Sequence, residues 1–123
     1  MTIAFWCVLA AAVLPFPCAL AAKWSKSFDN HHPRDYLDRT EGWRRRAHAA
    51  QLNGFEAFPA FAAAVVINHL VLGANATADA LALAFIACRV VFSVLYVADL
   101  ALLRSIAWFG GALSCVALFV FAA

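Results

Sequence analysis

Charge is what this sequence has least of: Asp, Glu, Lys and Arg make up 13% of its 123 residues, against 66% hydrophobic. Soluble domains carry about 25% charged residues, and a domain this small keeps much of its surface in solvent. The shortage therefore excludes a water-soluble fold, and the apolar surface must face lipid. Clustered cysteine is also missing. Cys7, Cys18, Cys88 and Cys115 are scattered through apolar segments, which excludes a disulfide framework and a zinc site, since both need grouped thiols. His31 and His32 are adjacent, so their side chains diverge in any regular structure and make no metal pair. The N-terminal segment has no positively charged leader and a long apolar run, which sets it apart from a secretory signal peptide.

What remains is four apolar runs, at about residues 2–22, 47–72, 78–103 and 105–123. Each has the length that roughly 30 Å of hydrocarbon requires of a helix. The expected fold is an all-α integral membrane protein, a single four-transmembrane-helix domain over residues 1–123. Pro15 and Pro17 should bend or open the first helix, which neighbouring helices tolerate. Pro33 can start a short helical turn through Leu37 in the polar connection. Trp24, Tyr36 and Trp43 read as interfacial anchors. Asn68 and His69 fall near the far surface, where polarity costs little, and His69 reads as structural.

The few cations are unevenly placed. Lys23, Lys26, Arg34, Arg39, Arg44, Arg45 and Arg46 crowd the connection at 23–46, and Arg104 follows the third run. The turn at 73–77 has no Lys or Arg. By the positive-inside rule the basic connections are cytoplasmic and both chain ends lie opposite. The basic patch is an orientation signal beside anionic lipid, with no nucleic-acid role.

Polar residues inside the spans carry the functional signal. Arg46, Ala49, Asn53 and Glu56 follow a helical spacing, as do Arg89, Phe92, Tyr96 and Asp99, so each of two antiparallel helices has one polar stripe. With Arg46 and Leu103 as the cytoplasmic ends, Asn53 and Tyr96 lie about 10 Å deep, Glu56 about 15 Å and Arg89 about 21 Å. An Arg89–Glu56 contact is within reach. Mutual neutralisation alone would explain the two charges, but a buried ion pair seldom stabilises a fold better than apolar packing. Gln51, Asn53 and Tyr96 add polar capacity beyond one bridge. The stripes read as a cleft open at the cytoplasmic interface to an anionic, hydrogen-bonding ligand.

The pattern Gln51-x-Asn53-x-x-Glu56-x-x-Pro59-x-Phe61 in the second of four spans resembles the signature of the MAPEG family, the membrane-associated proteins in eicosanoid and glutathione metabolism. Arg89 to Trp108 is similar to the family's third helix and the start of its fourth, with Tyr96 and Arg104 in matching places. Ala49 and Phe92 stand where an arginine and a tyrosine are often found. Pro33-Arg34 and Gly42-Trp43 are like the loop pairs of small bacterial members. The resemblance implies a homotrimer, in a bacterial inner membrane, with glutathione as co-substrate in clefts between subunits. It implies that Arg46, Gln51, Asn53, Glu56, Arg89 and Tyr96 bind glutathione, that Arg104 stabilises its thiolate, and that a lipophilic electrophile arrives from the bilayer. The implied activity is a glutathione-dependent transferase or peroxidase. The alternative is a non-catalytic subunit of the same fold that assembles with itself or within a larger membrane complex.

Overall fold

The first span is one apolar run in two pieces, α1 (Ile3–Val13) and α2 (Pro15–Lys23). Leu14 keeps helical dihedrals between them, but Pro15 has no N–H to continue the ladder, so the break falls where the sequence predicts it. The computed structural model describes Met1 to Ala123, and the chain continues through α3 (Pro33–Asp38), α4 (Gly42–Leu72), α5 (Ala76–Val97) and α6 (Ala101–Val120). Four helical spans, at Ile3–Lys23, Gly42–Leu72, Ala76–Val97 and Ala101–Val120, are long and apolar enough to cross a membrane.

α4 and α5 form the central pair, and α1 and α6 each pack against both. The main core is built from small residues with a few large ones between them: Ala4, Cys7 and Ala11 on α1, Ala64 on α4, Ala78 and Ala82 on α5. Small side chains let helix backbones approach in lipid, where packing replaces the hydrophobic effect as the driving force. Phe61 and Phe85 stack across the α4–α5 seam with ring centroids 3.9 Å apart. Gly54 marks a close approach of α2 and α4, because a Cβ there would sit 2.8 Å from Cγ of Pro15. On the basic side, Leu37 of α3 is buried with Ala22 and Ala47, which ties the polar connection onto the bundle.

Two boundaries differ from the expected ones. α4 has 31 residues, about 46 Å of helix, so its first turns, bearing Arg44, Arg45 and Arg46, extend past the hydrocarbon on the basic side. The third helix ends at Val97, six residues before Leu103, and the fourth starts at Ala101. The cause is a local stop that apolarity does not reveal. Asp99 takes a left-handed φ of 63°, its N–H donates to the Tyr96 carbonyl, and the Leu100 N–H reaches back to the Leu95 carbonyl at 3.0 Å. This is the Schellman arrangement, which closes a helix by satisfying its last carbonyls. Arg104 consequently sits inside the first turn of α6.

The end opposite the basic connection is closed by polar side chains. Asn75 caps α5, accepting from the Ala78 N–H at 2.8 Å. Asp79 accepts from the Ala4 N–H at 2.8 Å and so caps α1 from another helix. Asn68, expected near the far membrane surface, sits one turn before the end of α4 and is 1% exposed between the helices; it donates to the Leu118 carbonyl at 2.8 Å and accepts from Asn75. His69 lies against the ring of Phe5.

Candidate functional site

The shifted end of α5 brings the polar stripes into register. Measured from Val97, Arg89 lies about 12 Å deep, close to the 10 Å or so of Asn53 measured from Arg46. The two meet: Nη2 of Arg89 donates to Oδ1 of Asn53 at 2.8 Å. Asn53 in turn donates to Oε2 of Glu56 at 3.4 Å. The expected direct Arg89–Glu56 pair does not form, because at equal depth the asparagine stands between them. The close contacts between basic side chains and carboxylates lie elsewhere, Arg46 with Asp99 and His48 with Asp38.

Arg89 is 4% exposed, and its guanidinium carbon lies 4.3 Å from the ring centre of Phe92. A guanidinium this deep in a membrane bundle, held by an amide and an aromatic face with no carboxylate in contact, is costly unless something anionic shares its site. Glu56 is exposed to the side of the bundle, an untenable position in open lipid.

Both groups line a cleft of about 320 Å³ between α4, α5 and α6. Asn53 and Glu56 form its polar edge, Arg89 its floor, and Trp108, Gly111 and Cys115 the α6 wall. The glycine pair in α6 makes this possible. At Gly110 a Cβ would meet Sγ of Cys88 at 2.8 Å, and at Gly111 it would approach Cδ of Arg89 at 3.7 Å. A second hollow of about 270 Å³ lies toward the basic side, lined by Tyr96, Arg104 and Phe92. The Arg104 guanidinium carbon sits 4.3 Å from the Tyr96 ring centre. Asn53 and Trp108 line both spaces, so the two hollows adjoin.

The structure therefore brings Asn53, Glu56, Arg89, Tyr96 and Arg104 together and leaves Arg46 and Gln51 out. Nε of Arg46 donates to the Val97 carbonyl at 3.0 Å. Gln51 turns to the other side of α4, where its Oε1 lies 3.3 Å from Nδ1 of His48; residues two apart on a helix face different ways. Trp108 is the member that the reading of the sequence missed as a site residue. Its signal was the spacing of four residues from Arg104, which puts both on one face of α6.

An all-helical membrane bundle with a polar cleft walled by three of its spans defines the class of protein. The chain belongs to the MAPEG family: the family model matches residues 3–123. No curated protein and no solved structure matches it at a significant level.

Proposed function

We propose that the chain is a glutathione-dependent membrane transferase or peroxidase acting on lipophilic electrophiles. The observation that carries the reading is the buried Arg89, fixed by Asn53 and facing a cleft with no carboxylate in contact with it. Glutathione offers carboxylates for Arg89 and the Asn53 amide, an ammonium for Glu56, and a thiol that would lie toward Arg104 and Tyr96. Charge-assisted hydrogen bonds of this kind are the strong ones. The thiolate is the nucleophile, and a nearby guanidinium stabilises it. In a transfer the sulfur forms a bond to the electrophilic carbon, the displaced group or pair of electrons leaves on the substrate, and the thiol proton goes to water. With a hydroperoxide, the thiolate takes the outer oxygen as the O–O bond breaks and the alcohol leaves, and a second glutathione displaces water from the resulting sulfenic acid to give glutathione disulfide. Positioning and charge supply the catalysis.

The exposed Glu56 and the large uncovered faces of the spans support assembly of the chain with copies of itself, as the homotrimer that the family resemblance implies. In that assembly Gln51, which points away from its own cleft, reaches the glutathione of a neighbouring copy. The basic connection lies on the cytoplasmic side of a bacterial inner membrane, and the electrophile enters sideways from the bilayer past Trp108.

Titration of glutathione into the purified protein in detergent tests the reading, with thiolate absorbance as a second signal. Saturable binding with thiolate formation is expected. Absence of saturation at millimolar glutathione, with the oligomer intact, would leave the non-catalytic subunit as the better account.

A further inference from the structure

The break at Leu14–Pro15 does more than tolerate two prolines. α1 packs against α5, whereas α2 follows α4 and diverges from α5. The divergence opens a groove of about 520 Å³ whose walls are Leu14, Pro17 and Ala21 on one side and Val90, Val94 and Val97 on the other. It shares no residue with the glutathione cleft. From Val90 to Val97 it runs about 10 Å, within the roughly 15 Å of hydrocarbon in one leaflet. Its inner end is stopped where α1 closes onto α5. A transmembrane helix from a second copy, about 10 Å thick and crossing both leaflets, would run into α1. An acyl chain of a single leaflet fits the length and stops where the groove stops.

The mouth of the groove is basic. Arg46 is anchored there through Nε to the carbonyl of Val97, a groove residue, at 3.0 Å. Lys23 ends α2 two residues beyond Ala21 and so faces another side of the helix, with Nζ 5.6 Å from the Phe28 ring centre, which leaves Arg46 as the cation at the mouth. Trp24 next to Lys23 is 79% exposed, as an interfacial anchor is. The one carboxylate beside Arg46, Asp99, stands 3.9 Å from Nη1 with its side chain 70% exposed, so it leaves much of the guanidinium's donor capacity free.

We propose that the groove between α2 and the basic half of α5 holds one acyl chain of an anionic phospholipid, whose phosphate group is bound by Arg46. The proposal is independent of the glutathione reading, since neither the groove nor its mouth includes the cleft.

The test is native mass spectrometry of the full-length protein released from nanodiscs of equal phosphatidylglycerol and phosphatidylcholine. One retained phosphatidylglycerol per chain is expected. Val94→Trp, at a position 62% exposed where the larger ring meets open groove, should abolish retention, and Ala98→Trp at the mouth should do the same. Arg46→Gln should keep a bound phospholipid but lower the preference for phosphatidylglycerol about fivefold. Retention equal to wild type in both tryptophan variants, or equal binding of the two lipids by the wild type, would overturn the proposal. Cross-linking of copies through this groove would overturn it as well, by assigning the face to an oligomer contact.

Discussion

Two polar clusters are built on the α4 helix, one at its Asn68 end and one near its middle at Asn53 and Glu56, and they are finished differently. At the end away from the basic connection, Asn68 bonds to Leu118 and Asn75, and Asn75 to Gly73 and Ala78. Every partner is another part of the chain, and the cluster is closed. Toward the basic side, Arg89 bonds to Asn53 and Asn53 to Glu56, and there the series stops at an exposed carboxylate beside a cleft. A closed network fixes how helices pack, because each group is satisfied only in that one arrangement. An open one holds charge in readiness for something that is not part of the fold. The same residue types thus have different roles according to whether their hydrogen bonds end inside the protein.

The contrast is broken most strongly at the open end. Arg104→Ala should lower thiolate formation about a hundredfold or more, the usual size for losing one charge-stabilising donor, while size-exclusion chromatography shows assembly unchanged. Asn53→Ala removes the hinge of the open series; it should raise the glutathione Kd about tenfold, since bonds to charged groups contribute about 1.5–3 kcal/mol. At the closed end the signs reverse. Asn68→Ala should cost about 1–2 kcal/mol of stability in a detergent unfolding assay, with glutathione affinity unchanged. The smallest effect is expected at the stop that sets the register of the open cluster. Asp99→Gly relieves a left-handed non-glycine residue, worth about 1 kcal/mol, offset in part by the lost Arg46 contact, and should raise the unfolding midpoint slightly.

How much of this could be read from the chain follows from what a sequence encodes about helices. Span number, the proline break and the short turn at Pro33 are legible because apolar length and ring geometry are local properties. The meeting of two polar stripes on α4 and α5 is legible too, as helical spacing. Depth was misjudged because it was counted from Leu103, and the true stop depends on Asp99 adopting a left-handed backbone. A glycine at that position would have been a plain signal; an aspartate gives a weak one. Which neighbour takes up a polar side chain leaves no mark in the sequence. Arg46 was accordingly grouped with Asn53, whose face it shares, although the Val97 carbonyl and Asp99 hold it; Gln51, two residues from Asn53, and Trp108, four from Arg104, were misread against the spacing itself. Ala49 and Phe92, where the family often has arginine and tyrosine, leave Arg89 as the cleft's buried cation, with the Phe92 ring against it.

The central claim, that the open cluster is a glutathione site and the closed one is scaffold, is tested most directly by calorimetric titration of glutathione into wild type, Asn53→Ala and Asn68→Ala side by side. Saturable binding by wild type and by Asn68→Ala, with about tenfold weaker binding by Asn53→Ala, is the predicted result. Equal weakening in both variants, or no binding by any of the three, would contradict it.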